Sequence, residues 1–272
     1  MRTSIACLRP TLLLCIGTLA LSSGCNRTES GRASGAATSR TPGTSERHET
    51  KVRAAPTGAY ADGVASADGI GRTYFGREIA IFMSHQGIYW LERGTRESEE
   101  RTDLLMDALE LKPGMTVADI GAGSGYFTVP MAKRVAPGIV YGTDIQPEML
   151  AFLEARARKE NLTNITGILG DTSDTMLPEG SLDLVLLVDA YHEFDKPWEM
   201  MTSIARALKP GGRVALVEYR GEDPEVPIKP LHKMTEAQAR RELEAAGLMW
   251  IRTDERLPLQ HLMWFGKFPS DA

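Results

Sequence analysis

The chain has 272 residues, 42% hydrophobic and 25% charged, an ordinary globular composition long enough for one sizeable core. Its net charge of −5 is unevenly spread: residues 1–69 hold 8 Lys and Arg against 5 Asp and Glu, which leaves 23 against 31 in the remainder, a net of −8. An acidic domain argues against a nucleic-acid partner, because Lys and Arg hold phosphate backbones. Cys7, Cys15 and Cys25 all lie in the first 25 residues, so the rest has no disulfide, no thiolate nucleophile and no thiolate metal site.

Arg2 and Arg9 precede an apolar run from Leu12 to Leu21, followed by Ser22-Ser23-Gly24-Cys25. The run is too short to span a bilayer, which takes about 20 residues, and reads as a secretory signal. Residues 1–25 are thus expected to be a signal peptide that exports the protein to the cell envelope. Cys25 resembles the lipidated cysteine of a bacterial lipobox, although Leu21 stands four residues before it and Ser22 occupies the usual aliphatic position. A simple cleaved signal and an uncleaved anchor stay open. Membrane attachment is expected through the N-terminus only. Residues 26–69, rich in Ser, Thr, Gly, Ala and Arg, read as a disordered linker.

Residues 70–113 are expected to form an N-terminal helical cap. Tyr74 to Leu91 is dense in aromatic and apolar residues, Glu92 to Asp103 reads as the solvated start of a helix, and Leu104, Leu105, Ala108, Leu109 and Leu111 fall at helical spacing. A strand from Thr116 to Ile120 then enters a turn with Gly121, Gly123 and Gly125. Helical character follows to Val135, and Pro130 predicts a late start or a bend. Further strands are predicted over Ile139 to Asp144, Asn164 to Leu169, Ser181 to Val188 and Arg213 to Val217. Helices over Pro147 to Glu160 and Trp198 to Leu208 lie between them. This alternation over residues 114–217 predicts an α/β fold: a doubly wound, mostly parallel sheet with helices on both faces. Thr235 caps a helix to Ala246, and Leu248 to Thr253 with His261 to Phe268 reads as a C-terminal antiparallel hairpin.

The segment Asp119-Ile120-Gly121-Ala122-Gly123-Ser124-Gly125-Tyr126 resembles the first motif of the class I S-adenosylmethionine-dependent methyltransferases. A nicotinamide-binding turn would want G-x-G-x-x-G, and Tyr126 stands where its third glycine belongs. The turn Lys209-Pro210-Gly211-Gly212 is likewise frequent in that family. The resemblance covers about residues 100–268. It implies a seven-stranded sheet in the order 3-2-1-4-5-7-6, a methyltransferase domain over 114–272, and S-adenosyl-L-methionine as cofactor.

Carried over by position, Asp119, Gly121 and Gly123 would line the methionine moiety, and Gly125 is expected to bind the cofactor with them. Asp144 would accept hydrogen bonds from the ribose hydroxyls and Ile145 would pack on adenine. Asp171 would accept from the adenine amino group or serve as an ordinary turn residue. The segment Val188 to Phe194 would face the reactive methyl group. There His192 is either a general base or a partner for a backbone group, Asp189 positions cofactor or substrate, and Tyr191 lines the methyl-transfer channel. No metal site is expected, since His85, His192, His232 and His261 lack the i, i+3 or i, i+4 spacing of a helical ligand pair. The long loop Glu218 to Met234 and the cap at 70–95 are expected to recognise the substrate. The implied activity is methyl transfer to a small-molecule or protein acceptor by in-line displacement. The alternative is a non-catalytic, envelope-attached protein that keeps the fold to bind a ligand or partner.

Overall fold

A computed structural model describes residues 54–267. The expected signal, Cys25 and most of the linker lie outside these residues.

Strands β1 (Tyr60–Asp62), β2 (Gly69–Tyr74) and β3 (Arg77–Ala80) form a three-stranded antiparallel sheet of their own. This differs from the sequence reading in two ways. The cap expected to be helical begins as a sheet, and β1 lies inside the segment expected to be a disordered linker. The reason is local: few large apolar residues are present, but Ala59, Tyr74, Ile79 and Ala80 are buried. The first three join the same core cluster as Tyr191 and Trp198 of the main domain. Short helices α1 (Ile88–Leu91), α2 (Arg96–Glu100) and α3 (Thr102–Ala108) follow.

The main sheet comprises β4 (Val117–Ile120), β5 (Val140–Asp144), β6 (Ile165–Leu169), β7 (Leu182–Val188), β8 (Leu208–Tyr219), β9 (Leu248–Asp254) and β10 (Gln260–Lys267). Helices α4 (Thr128–Val135), α5 (Pro147–Lys159), α6 (Pro197–Ala207) and α7 (Glu236–Ala245) connect them. The spatial order is β6-β5-β4-β7-β8-β10-β9, parallel throughout except for β10, which is antiparallel to both β8 and β9. This is the expected order and the expected terminal hairpin.

The strands are apolar on both faces because both faces are covered. Ala118, Ile120, Val185, Leu187 and Leu216 point into one cluster with α6 and α7. Their sequence neighbours Val117, Leu184, Leu186, Ala215 and Val217 point into the other with α3 and α4. The period of two that separates these sets fixes the register, since a one-residue slip would exchange them. Helix α4 starts at Thr128, so Pro130 is its third residue. Its missing N–H leaves a one-residue gap between the Val129 N to Gly125 O and Met131 N to Phe127 O bonds, so the regular helix starts late, at Thr128. At α7 the Thr235 hydroxyl accepts from Gln238 N at 3.1 Å, as the capping pattern predicts.

Between β4 and β7 the sheet reverses its direction of winding. The carboxyl ends of parallel strands at such a switch point leave a crevice that no crossover helix fills.

Candidate active site

The crevice is a cleft of about 820 Å³, within the usual range for small-molecule sites. Its floor is the turn after β4. Gly121 N and Ala122 N each donate to Thr143 O at 2.9 Å, which ties the turn to β5. Gly123 has φ +52, and a Cβ there would lie 2.7 Å from Leu91 Cδ1. Gly121 and Gly123 line the cleft. Gly125 does not: a Cβ on it would meet Leu153 Cδ1 at 2.5 Å, so this glycine lets α5 pack on the turn and does not face a ligand.

Asp144 ends β5 with its carboxylate on the cleft wall. Oδ2 accepts from Gly123 N at 3.0 Å and Oδ1 from Gln146 N at 2.9 Å. Burial raises its pKa, opposed by those backbone donors. Each oxygen keeps a second lone pair, enough for a diol. Ile145 beside it lines the cleft and is 41% exposed. Asp171 also lines the cleft, but its Oδ1 accepts from Ser173 N, Ser173 Oγ and Asp174 N at 2.6 to 2.8 Å, which holds its pKa below the ordinary value. These local contacts are those of a turn residue, made by Oδ1 alone.

Asp119 is a correction. It is buried beneath the turn, does not line the cleft, and accepts from Thr128 Oγ1 at 2.6 Å. Burial pushes its pKa up to about 6, with Thr128 and Arg96 pulling the other way. Its geometry joins β4 to the start of α4. A strand this thoroughly buried points alternate residues away from the cleft, and Asp119 is one of them.

Asp189 follows β7 with φ +49, a conformation uncommon outside glycine, and turns the chain into a 3₁₀ turn over Tyr191–Glu193. Its Oδ2 accepts from Gln260 Nε2 at 2.7 Å, while Oδ1 is buried with no hydrogen-bond partner among the described residues. Burial, then the carboxylates of Glu100 and Glu218, hold its pKa well above the ordinary range. The residue lines the cleft, but Oδ1 itself is buried behind the wall.

Arg96, on the same cleft, was missed. The charged run from Glu92 to Asp103 reads as solvated, yet Arg96 and Glu100 are 4% and 2% exposed. Arg96 Nε donates to Glu100 Oε2 at 3.0 Å, and the guanidinium stacks 4.4 Å from the Tyr126 ring. Charge alone in the sequence could not distinguish a buried pair from a wet surface. The pairing at i, i+4 beside an aromatic was the available signal.

Tyr191 is the second correction. It is fully buried and points away from the cleft, its hydroxyl donating to Glu242 Oε2 at 2.7 Å. Arg77 of β3 pairs with both oxygens of the same carboxylate at 2.8 Å. The tight turn sends consecutive side chains in different directions, so Tyr191 enters the core where His192 meets the cleft.

His192 Nδ1 lies 2.6 Å from Glu218 Oε2, and Glu218 Oε1 also accepts from Tyr191 N and His192 N. Burial works against charge on this imidazole, but the Glu218 carboxylate outweighs it and raises its pKa. The other nitrogen, Nε2, lies 3.1 Å from Nδ1 of His232, which a second 3₁₀ turn (Pro230–His232) places opposite. Burial, then the neighbouring His192 and Lys229, lowers the His232 pKa to about 4. Glu193 sits against both rings, and burial raises its pKa to about 7, opposed by His192. Sequence spacing gave no sign of this group, because 40 residues separate its two histidines. Above it the cleft is closed by Ile70, Arg72 and Phe82 from the three-stranded sheet side and by Pro227, Ile228 and Lys229 from the loop before α7.

A family model described as a methyltransferase domain matches residues 118–216. A nocamycin O-methyltransferase from Saccharothrix syringae is 34% identical over 113 residues, 41% of this chain and 40% of that enzyme. The chain therefore spans less than half of that relative's length. A tRNA (adenine(58)-N(1))-methyltransferase from Thermus thermophilus is 28% identical over 202 residues, covering 72% of this chain and 76% of that one. A solved S-adenosylmethionine-dependent methyltransferase from Aquifex aeolicus has the same fold, with a TM-score of 0.64 over 68% of this chain and 98% of that one at 24% identity. The α/β fold with its mostly parallel seven-stranded sheet and terminal hairpin is shared with that solved structure.

Proposed function

We propose that this chain, whose residues 118–216 match a methyltransferase domain, is an enzyme that moves a methyl group from S-adenosylmethionine to an acceptor held at the His192 end of the cleft. The observation that carries the reading is the joint placement of Gly121, Gly123, Asp144 and Asp189 around one cavity at the carboxyl ends of β4, β5 and β7. The names of the relatives support the same cofactor. When bound, it supplies an electrophilic methyl on a sulfonium, transferred by in-line displacement.

The chain's own residues divide the work. Asp144 offers its remaining lone pairs to the ribose diol, and Ile145 offers its exposed apolar face to the adenine. The Gly121 to Gly123 backbone lets the methionine part approach without a Cβ in the way. Arg96, which lines the cleft beside the turn, suits a carboxylate. Displacement requires alignment and exclusion of water. The residues that close the cleft above His192, from β2 to Phe82 and from the loop before α7, provide that closure. In the metal-free protein Nε2 of His192 accepts the proton of an oxygen or nitrogen acceptor, with Glu218 stabilising the imidazolium.

A small molecule or a protein side chain fits the acidic character of the domain. The net charge of −8 beyond residue 69 opposes phosphate binding and so disfavours an RNA acceptor, the substrate class that the tRNA enzyme's name carries. Incubating the full chain with cell extract and methyl-labelled cofactor is expected to transfer label into a discrete small-molecule or protein fraction. Label that stays on the cofactor with every extract would contradict the enzyme reading. Export through residues 1–25, with lipidation at Cys25, is proposed on the sequence alone. Fractionation of Cys25→Ala checks it: membrane association equal to that of the parent removes the lipid anchor.

A further inference from the structure

We propose that His192, Glu193 and His232 form a binding site for one divalent transition-metal ion of the Zn²⁺ class, at the acceptor end of the cleft. His192 Nε2 and His232 Nδ1 are 3.1 Å apart, and Glu193 Oε1 lies 3.8 Å from the first and 3.6 Å from the second. The point equidistant from these three atoms is about 2.0 Å from each, the ordinary Zn–N and Zn–O distance. The ion therefore needs no rearrangement of the backbone to enter.

The surroundings of the triangle are those of a held ligand set. Nδ1 of His192 points to the fully buried Glu218 carboxylate, which fixes the tautomer and leaves the Nε2 lone pair for an ion. Glu218 is itself fixed by the Tyr191 and His192 N–H groups. Glu193 Oε2 accepts from Met83 N at 3.1 Å, which turns Oε1 toward the two rings. Both histidines sit on 3₁₀ turns, and their rings meet nearly at right angles, 80°.

Two imidazoles and one carboxylate favour Zn²⁺ or Fe²⁺ over Mg²⁺ and Ca²⁺, which prefer oxygen alone. Three protein ligands leave a coordination position open, the pattern of catalytic rather than structural sites. Here that position faces the cleft, since the side chains of His232 and Glu193 are 23% and 18% exposed. It would take an oxygen of the acceptor, which narrows the acceptor to one carrying a hydroxyl, phenol or carboxylate. That narrowing rests on the methyltransferase reading, whereas ion binding does not. With the ion present, Nε2 of His192 is a ligand, and a hydroxyl or phenol held there would be deprotonated to solvent, its pKa lowered by the ion, before it takes the methyl group.

The test is Zn²⁺ titration of the full chain, produced without a histidine tag and stripped by chelator, in competition with a chromophoric chelator. The expected result is one equivalent bound, unaffected by excess Mg²⁺ or Ca²⁺. Loss of a ligand in His232→Ala or Glu193→Gln is expected to weaken binding by about 100-fold or more, and loss of the outer partner in Glu218→Gln by about 10–100-fold. Glu154→Gln, exposed on α5 and not lining the cleft, is expected to bind like the parent. His232 is partly exposed, so its variant keeps the fold, checked by circular dichroism. Equal and weak Zn²⁺ uptake by the parent and His232→Ala would overturn the site. Calorimetry with S-adenosylhomocysteine on the stripped protein separates the two readings: nucleoside bound without one equivalent of Zn²⁺ rejects the metal site alone.

Discussion

Asp119 and Tyr191 show how side-chain direction decides what a residue in a motif does. Asp119 has a folded pKa raised to about 6 from an ordinary 3.8, so the native state binds its proton more tightly than the unfolded state. The stability this group contributes is full below about pH 4 and is lost as pH rises through about 6. Asp119→Asn keeps an acceptor for Thr128 and removes the buried charge. In urea denaturation it is expected to gain about 1–3 kcal/mol on the parent between about pH 4 and pH 8. Parallel stability curves across that range would contradict the burial argument. Tyr191→Phe leaves Glu242 on both Arg77 nitrogens, and is expected to cost about 1–2 kcal/mol of stability while methyl transfer stays within about threefold. A loss of activity without loss of stability would return Tyr191 to the channel. Neither direction was legible in the sequence: both residues stand in the right segments, and only the turn geometry says which way they point.

At the scale of elements, the cleft is assembled by short connections held from outside the main sheet. Arg77 on β3 reaches Glu242 on α7, and that pair carries Tyr191 of the turn above β7. Glu242 is fully buried, so Arg77→Ala leaves an uncompensated buried charge, with an expected cost of about 3–5 kcal/mol by chemical denaturation. A cost below about 1 kcal/mol would show that the three-stranded sheet is not anchored by this pair. The sequence hid that sheet, because GIGRTY and REIA are short, rich in glycine or charge, and carry little apolar periodicity. It also hid the His192, Glu193 and His232 group, whose parts come from two 3₁₀ turns that no periodic pattern announces. Helices α4 and α7 were legible to within a turn, since Pro130 and Thr235 act through local backbone chemistry.

For the whole molecule, the sheet order and terminal hairpin were legible because buried parallel strands such as Leu182–Val188 leave long apolar runs separated by helical spacing. The core they form is divided between two faces, so truncation on either is felt globally. Leu186→Ala, fully buried against α3 and α4, is expected to cost about 2–5 kcal/mol in cooperative unfolding. The cleft sits where the sheet changes winding direction, with Asp144 on its wall. Calorimetric titration of S-adenosylhomocysteine into the full chain and into Asp144→Ala tests the account most directly. It predicts saturable one-to-one binding by the parent, weakened about 100-fold or more in the variant by the loss of two charge-assisted hydrogen bonds. No binding by the folded parent, or equal binding by both proteins, would contradict it.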